Sequence, residues 1–185
     1  MNGFYLAIGK QGSGKTLFIT KLLVDNKDKG KKIFSNYSLY GIKYNKITLN
    51  PNIKNTSKNK KVIYILDALD KNPNYFDNSI ILIDELHLDL NSLDFFKKNA
   101  RRLDTFFSQL RKRNILLLGT TQYLMNVNVR IRRQCKNVFE MKHLKSSVFE
   151  VKTFEIDGYY QEEVSTYLVD LGGYYHFYDT NEIVL

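Results

Sequence analysis

Short apolar runs alternate with amphipathic and polar stretches over the first two thirds of the chain. Runs rich in strand-forming residues predict β-strands at 3–8, 33–36, 46–49, 79–83 and 115–119. Apolar residues at helical spacing predict helices at 16–25 and 99–113, and they favour a helix slightly over a strand at 62–71. The runs 79–83 and 115–119 are apolar throughout, which is typical of central strands buried on both faces of a parallel sheet.

The pattern changes after residue 136, where β-rich segments follow one another. Strands are predicted at 138–144, 148–156 and 174–178, with a turn at 157–158, whereas 162–171 fits neither a helix nor a strand clearly. Residues 51–61 are almost wholly polar and predict a loop. The whole pattern predicts one α/β domain over 1–185, with a core at about 3–141 and a β-rich C-terminal extension at about 142–185.

The composition adds a partner class to this picture. The 185 residues are 43% hydrophobic and 25% charged, which is ordinary for a globular protein, but the net charge is +9. Such a charge favours a polyanionic partner, and nucleic acid is the first candidate. The alternative is that an A/T-rich coding sequence produced a chain rich in Lys, Asn, Ile and Tyr, so that some lysines only face solvent.

The cysteine content and the apolar runs limit the cellular setting. Cys135 is the only cysteine, so no intrachain disulfide can form and a reducing, cytoplasmic location is expected. The first strand begins almost at Met1, which predicts that no signal peptide precedes it. No apolar run approaches the ~20 residues of a membrane span, so none is expected.

The strongest motif follows the first predicted strand and opens the first predicted helix. It fits the phosphate-binding loop pattern G-x-x-x-x-G-K-[ST] and reads Gly9-Lys10-Gln11-Gly12-Ser13-Gly14-Lys15-Thr16. Its glycines let backbone N–H groups surround a phosphate, and the helix that continues through Leu17 adds its positive end. We expect Lys15 to reach the β- and γ-phosphates of ATP and the Thr16 hydroxyl to bind Mg²⁺.

Two carboxylates end the apolar strand 79–83. Asp84 is expected beside the phosphate loop, where it would hold Mg²⁺, in the arrangement known as Walker B. Glu85 points elsewhere and is predicted to polarise the attacking water as a general base. His87 follows in the pattern D-E-x-H, and two hypotheses remain open for it: coupling of hydrolysis to a partner, or simple packing.

The next apolar strand ends in Thr120, Thr121 and Gln122. In a parallel sheet, a polar residue at this strand end lies beside the γ-phosphate. The Gln122 amide is therefore predicted to contact the phosphate or the water and to report the nucleotide state. The alternative is that Gln122 only caps the following turn.

These motifs occur in a characteristic order, which reads GKQGSGKT, ILIDELH, FFSQLRKRNILLLGTTQ and VNVRIRRQCKNVFEM. Over residues 3–141 the chain resembles the FtsK–HerA superfamily of P-loop ATPases, and in particular the small viral genome-packaging ATPases. It is also similar to the zonula occludens toxin-like assembly ATPases. The chain departs from the larger relatives, which carry additional domains or a membrane span.

The resemblance implies a RecA-like fold and a ring of subunits, commonly six, that hydrolyses ATP while double-stranded DNA passes through the pore. It implies capsid or portal proteins as further partners, and host cytoplasm or the capsid vertex as the location. An arginine from the neighbouring subunit would complete each site by neutralising charge in the transition state. Candidates for this arginine are Arg111, Arg113, Arg130, Arg132 and Arg133, with Arg111, Arg113 and Arg132 preferred.

Other function classes fit the motifs less well. A P-loop nucleotide kinase has its own acceptor hydroxyl and needs no water-activating residue, so Glu85 together with Gln122 argues against it. A non-hydrolysing structural subunit would not require the complete set of Lys15, Thr16, Asp84 and Glu85. The leading hypothesis is thus a DNA-translocating packaging ATPase, and the alternative is a filament assembly or secretion ATPase that works with a membrane partner.

Overall fold

The computed structural model describes residues 1–27, 30–49, 62–88, 100–157 and 160–179 of the chain. The predicted loop 51–61 and the predicted turn residue Gly158 lie outside these residues. The described residues contribute nine strands to one sheet, and helices lie along the chain between the parallel strands. The predicted α/β architecture is therefore confirmed, including its strand-rich C-terminal part.

The strands closely follow the apolar runs of the sequence. Their bounds are β1 Gly3–Ile8, β2 Lys32–Ser35, β3 Asn45–Thr48, β4 Ile63–Tyr64, β5 Ser79–Ile83, β6 Leu116–Thr121, β7 Cys135–Lys145, β8 Val148–Asp157 and β9 Tyr160–Asp170. The order across the sheet is β4-β3-β2-β5-β6-β1-β7-β8-β9. In this order, all neighbouring strands between β4 at one edge and β7 are parallel. The remaining pairs, β7 with β8 and β8 with β9, are antiparallel and form a meander.

The helices agree only in part with the predicted ones. Their bounds are α1 Lys15–Asn26, α2 Ile65–Lys71, α3 Ala100–Ser108 and α4 Val129–Arg132. The first exceeds its predicted range by one residue at each end, whereas α2 and α3 are shorter than predicted and α4 was not predicted. The predicted helix 62–71 is partly wrong, because Ile63 and Tyr64 pair as β4 with β3 before α2 begins. None of the helices in the described ranges is both long and apolar enough to cross a membrane.

The predicted helix 99–113 ends earlier, at Ser108, and residue 99 lies outside the described part. After Ser108 the backbone N–H groups of Gln109 and Leu110 donate to acceptors three residues back, which tightens the chain into a turn. Asn114 has a φ of 55°, which redirects the chain into β6. Leu110 remains 1% exposed, so the turn keeps the helical apolar spacing that the sequence suggested without being α-helix.

The C-terminal prediction needs a second correction. Residues 162–170 of the segment that fitted neither pattern belong to β9, whereas the predicted strand 174–178 is wrong because a 3₁₀ helix spans Gly172–Phe177. Gly172 N donates to Asp170 Oδ1 (2.9 Å), and Tyr174 N donates to the Leu171 carbonyl (3.0 Å), so the chain turns as soon as β9 ends. The aromatic run had suggested a strand because aromatic residues favour strands.

The central strands are buried on both faces, and their side chains alternate between two apolar clusters. Phe4 and Leu6 of β1 pack into the cluster that includes residues of α2, α3 and α4. Tyr5 and Ala7 pack into the cluster on the α1 side. The sheet therefore forms the middle layer of the domain, and the carboxyl ends of β1, β5 and β6 meet at one edge. The segments after these three ends carry the residues of the candidate site.

Candidate nucleotide-binding site

The phosphate loop lies between β1 and α1, as its motif requires. Gly14 precedes α1 with a φ of 87°, a left-handed backbone that suits glycine, and Lys15 is the first residue of the helix. Ser13 N donates to the Lys10 carbonyl (3.1 Å), and Lys15 Nζ donates to the same carbonyl at 3.1 Å. The loop thus curls around its own lysine, with its N–H groups and the helix start at the edge of the sheet.

The meander strands β7 and β8 support the loop from outside. A side chain at Gly9 would lie 2.6 Å from the Met141 carbonyl oxygen, and one at Gly14 would lie 2.5 Å from Cε1 of Phe149. Phe149 itself is 2% exposed. The glycines are therefore needed both for their backbone angles and for the close approach of this hairpin. Sequence reasoning missed Phe149, since only the three-dimensional packing connects it to Gly14.

Lys15 is buried in the site, with 5% of its surface exposed. Burial lowers the pKa of its ammonium group, and the carboxylates of Glu85 and Asp84 act in the opposite direction. A cation held out of water beside two acids is a strong electrostatic partner for an incoming phosphate. The position of Lys15 is thus the one that the motif predicts.

Asp84 follows β5 and is held by its neighbours on both sides. Its Oδ1 accepts hydrogen bonds from Thr16 Oγ1, at 3.0 Å, and from Thr120 Oγ1. Its backbone N–H donates to Asn36 Oδ1 (2.8 Å), and Asn36 Nδ2 donates back to its carbonyl oxygen (2.9 Å). Thr120 and Asn36 were not identified from the sequence, because their part in the site depends on strands that are distant along the chain.

The pair Thr16 and Asp84 fits Mg²⁺. Their oxygens are 3.0 Å apart, and neighbouring ligands of an octahedral Mg²⁺ are also about 3 Å apart when metal–oxygen distances are ~2.1 Å. One hydroxyl and one carboxylate are donors that this hard cation prefers, and substrate phosphates and water would complete its shell. The two residues therefore fit the ion, and the metal site itself stays a prediction.

Glu85 departs from the strand in a left-handed conformation, with a φ of 51°. Its backbone N–H donates to Thr120 Oγ1 (2.9 Å), so one threonine fixes both acids. Its Oε2 is buried and lies 3.2 Å from Nδ1 of His87, and that nitrogen is also 3.2 Å from Thr121 Oγ1. His87 therefore contacts Glu85 directly, which neither sequence-based hypothesis for this histidine had specified.

One cavity brings most of the predicted residues together. It has a volume of about 650 Å³, large enough for a nucleotide, and it opens at the carboxyl edge of the sheet. Residues predicted from the sequence that border it are Gln11, Gly12, Gly14, Lys15, Thr16, Leu17, Asp84, Glu85, His87 and Gln122. Leu17 contributes little side-chain surface, because it is 1% exposed in the apolar core.

A second cavity, of about 740 Å³, lies on the outer side of the phosphate loop. Gly9, Lys10 and Ser13 border this cavity rather than the first, whereas Gln11, Gly12 and Gln122 border both. Gln122 lies at this junction, and its carbonyl oxygen accepts a hydrogen bond from Gly9 N (3.3 Å). A backbone hydrogen bond thus joins Gln122, the predicted sensor residue, to Gly9 at the start of the phosphate loop.

The predicted arginines lie outside the nucleotide cavity. Arg113 Nε donates to Asp77 Oδ1 (2.6 Å), and its guanidinium carbon lies 5.5 Å from the ring centre of Phe106. Arg111 packs beside Gly3, at the opposite edge of the sheet from the phosphate loop. Arg132 contacts the Met125 sulfur, in the segment that follows β6. None of these three borders the cavity of its own chain.

Comparison with known families agrees with this geometry. The family model described as Zonular occludens toxin (Zot) matches residues 3–169. Because the match covers most of the chain, the chain belongs to this family. None of the curated proteins that were searched is similar enough to count as a match.

Solved structures show the same fold. The N-terminal domain of zonular occludens toxin from Neisseria meningitidis superposes with a TM-score of 0.70 at 18% identity, over 97% of this chain and 100% of that one. The genome packaging NTPase B204 from Sulfolobus turreted icosahedral virus 2, in complex with ATP-gammaS, gives 0.54 at 13% identity, over 89% and 97%. A third solved structure, described as an ATPase domain, gives 0.54 at 10% identity, over 97% and 85%. The chain therefore has the RecA-like P-loop ATPase fold, and its resemblance to packaging and toxin-like ATPases is confirmed.

The two loop glycines provide a test of the hairpin support. We expect Gly14→Ala to lower the free energy of unfolding more than Gly12→Ala does. Both positions have positive φ, 87° and 75°, which costs a residue with a Cβ about 1–2 kcal/mol. Only the Gly14 methyl would also collide with Phe149, since nothing lies within 4 Å of a Cβ at Gly12. Urea denaturation of the nucleotide-free variants measures the difference, and equal losses would show that Phe149 does not constrain the loop.

Proposed function

We propose that this member of the zonular occludens toxin family hydrolyses ATP with Mg²⁺ and uses the energy to move double-stranded DNA. The observation that carries the proposal is the 3.0 Å contact between the Thr16 hydroxyl and the Asp84 carboxylate, in a cavity that Lys15, Glu85 and Gln122 share. A site for binding alone would need the phosphate loop and the metal ligands. The additional acid and amide beside them are groups that hydrolysis requires.

Each residue has a distinct part in this reaction. The loop N–H groups and Lys15 bind the phosphates and stabilise the charge that develops on them. Thr16 and Asp84 would hold Mg²⁺, which would supply positive charge to neutralise the phosphates. Glu85 accepts the proton of the attacking water, and Gln122 orients that water or the terminal phosphate. We place His87 beside Glu85 as a group that fixes the direction of its carboxylate.

The proposal that hydrolysis moves DNA rests on the charge of the chain and on its relatives. The chain carries a net charge of +9, and exposed arginines occur on α3, on α4 and in the turns that follow them, among them Arg101, Arg111, Arg130 and Arg133. A surface of this kind suits the phosphate backbone of DNA. The viral relative is described as a genome packaging NTPase. We therefore propose DNA translocation by a homo-oligomeric ring, with six subunits as the expected number, capsid or portal proteins as partners, and cytoplasm as the location.

A second candidate is a filament assembly or secretion ATPase that works with a separate membrane partner. It is favoured by the family match over residues 3–169 and by the higher TM-score with the Neisseria domain, 0.70 against 0.54. Both candidates share the hydrolysis step and differ only in what the step moves. Dependence of the ATPase rate on DNA therefore separates them.

The first prediction from this proposal concerns ATP hydrolysis. Double-stranded DNA is expected to stimulate ATP turnover, and Glu85→Gln is expected to lower turnover by at least about 100-fold, the range typical of a lost general base. Binding of ADP should change little, because the loop and Lys15 remain. Phosphate release and ADP titration measure the two quantities. Glu162→Gln, which replaces an exposed acid on β9, is the matched control.

Three results would contradict parts of this proposal. Full activity of Glu85→Gln would remove the assigned base. Binding of ATP without any turnover, with or without DNA, would indicate a structural nucleotide-binding subunit. Turnover that DNA leaves unchanged would favour the assembly ATPase over the translocase.

The basic charge gives a second prediction. We expect the affinity for double-stranded DNA to fall steeply and linearly on a plot of log K against log salt concentration, because each Lys or Arg contact with a phosphate releases a counterion. Arg101→Ala together with Arg133→Ala should make the slope shallower by about 1–2 units. Fluorescence anisotropy of a labelled duplex measures the slope. A slope near zero for the unaltered protein would mean that its lysines and arginines only face solvent.

The arginine that acts in trans gives a third prediction. Arg113 forms a salt bridge with Asp77 within its own chain. We therefore propose Arg111 or Arg132 as the arginine that acts on the site of the neighbouring subunit. An arginine-deficient variant and Lys15→Ala are each expected to be inactive alone. When mixed, they should recover measurable DNA-stimulated turnover, because an intact Lys15 then meets an intact arginine of the neighbour.

The mixing assay discriminates between the candidates. The variant that loses activity alone and regains it with Lys15→Ala identifies the residue, and the other variant should behave like the unaltered protein. If neither Arg111→Ala nor Arg132→Ala loses activity, both assignments are wrong. If activity is lost but mixing never restores it, the residue acts within its own subunit.

A further inference from the structure

We propose that residues 172–179, here termed the C-terminal strap, form the wall of the site that binds the nucleoside part of the substrate. In this arrangement Tyr175 contacts the base, and Tyr178 and Asp179 contact the ribose. The inference rests on the proposed function, since it assigns the remaining half of the same ATP site. The family match ends at residue 169, so the strap lies beyond the part of the chain that the family model covers.

The first half of the strap is anchored on α1. Leu171, which immediately precedes it, is fully buried, and its N–H donates to the Ser147 carbonyl (2.9 Å) in the β7–β8 turn. The hydroxyl of Tyr174 donates to Asp25 Oδ1 at 3.4 Å. The ammonium of Lys21 lies 5.8 Å from the centre of the Tyr174 ring, within the range of a cation–π contact. These contacts hold the 3₁₀ helix against the exposed side of α1.

The second half of the strap is anchored on the segment after β2. Tyr40 N donates to the Phe177 carbonyl (2.8 Å), and Tyr178 forms an isolated antiparallel bridge with Leu39. The Tyr40 hydroxyl donates to Asp179 Oδ2 at 3.3 Å. The strap is thus fixed at two places, and it spans from α1 to the β2 side of the cavity. A wall held at both ends can contact a ligand in a defined geometry.

Three strap side chains face the nucleotide cavity. Tyr175, Tyr178 and Asp179 border the same cavity as Thr16 and Asp84. The neighbouring strap residues Tyr174 and His176 do not border it. Tyr175 keeps 41% of its surface exposed, whereas a tyrosine that served only packing would be largely covered. This exposed ring beside the cavity provides an aromatic surface on which a base can stack.

Tyr178 lies deeper in the cavity than Tyr175. Its ring meets Tyr37 edge to face, with centres 6.3 Å apart, and the hydroxyl of Tyr37 is 3.0 Å from Thr20 Oγ1. Burial, together with the nearby charge of Asp84, raises the pKa of the Tyr178 hydroxyl to about 12. A tyrosine hydroxyl is protonated at neutral pH even without this shift, so it can donate a hydrogen bond to a ribose oxygen.

The cavity combines two kinds of chemistry. The phosphate loop, Lys15 and the metal ligands suit the phosphates of a nucleotide. The strap adds aromatic rings and a carboxylate to the lining of the same cavity, and a carboxylate is a common acceptor for ribose hydroxyls. A ligand that carries only phosphates has no base or ribose for the strap to contact. Comparison of a nucleotide with a bare polyphosphate therefore isolates the contribution of the strap.

The test compares ADP with inorganic tripolyphosphate, both with Mg²⁺, by isothermal titration calorimetry. Tyr175→Ala is expected to weaken ADP binding about five-fold or more, the effect of losing one stacked aromatic ring, and to leave tripolyphosphate binding unchanged. His176→Ala truncates the adjacent ring, which does not border the cavity, and should change neither ligand. Tyr178→Phe should also weaken ADP binding.

The outcomes separate this inference from the proposed function. Equal ADP affinities for Tyr175→Ala and His176→Ala would overturn the assignment of the strap. An equal loss of tripolyphosphate affinity in Tyr175→Ala would also overturn it, because the damage would then extend to the phosphate loop. If the unaltered protein bound neither ligand, the proposed ATPase function itself would fail.

Discussion

The structure depends on a single carboxylate that joins four elements. Asp84 follows β5 directly and accepts hydrogen bonds from Thr16 on α1 and Thr120 on β6. Its backbone N–H and carbonyl oxygen are both hydrogen-bonded to the side chain of Asn36, which follows β2. A partly buried acid is costly unless its oxygens are satisfied. Here the groups that satisfy it also set the distance between helix and sheet. The requirement to compensate one charge therefore fixes the edge of the sheet at which a nucleotide can bind.

The strand-rich C-terminal part is packed into this arrangement rather than appended to it. Phe149 of β8 fills the space beside Gly14, and the Met141 carbonyl of β7 lies against Gly9. The phosphate loop consequently packs between the edge of the sheet and the β7–β8 hairpin. A loop supported on both sides has fewer conformations to lose when it binds a phosphate, which is the usual advantage of a preorganised site.

The sequence predicted those parts of the molecule in which function and structure are both local. The phosphate loop, Asp84 and Glu85 were found because each motif directly follows an apolar strand. Asn36, Thr120 and Phe149 were not found, because each meets its partner only after distant strands have paired. The strap was predicted as a strand from its aromatic residues alone. Its actual shape depends partly on Gly172 turning back onto Asp170, a local signal that the aromatic pattern outweighed in the prediction. It depends also on contacts with α1 and Tyr40, which are distant along the chain and which no local pattern contains.

The two halves of the site differ in how they are built, and this has a thermodynamic consequence. The phosphate part is built from the loop before α1 and from the residues that follow β5 and β6, whereas the proposed nucleoside part is one segment that is anchored on α1 and on Tyr40. A ligand that contacts both parts binds the docked arrangement better than any undocked one, so it must stabilise the docking of the strap. By the same linkage, the docked strap must strengthen nucleotide binding to an equal extent. Lys21, Asp25 and Tyr40, which hold the strap without bordering the cavity, would then influence nucleotide affinity through the strap alone.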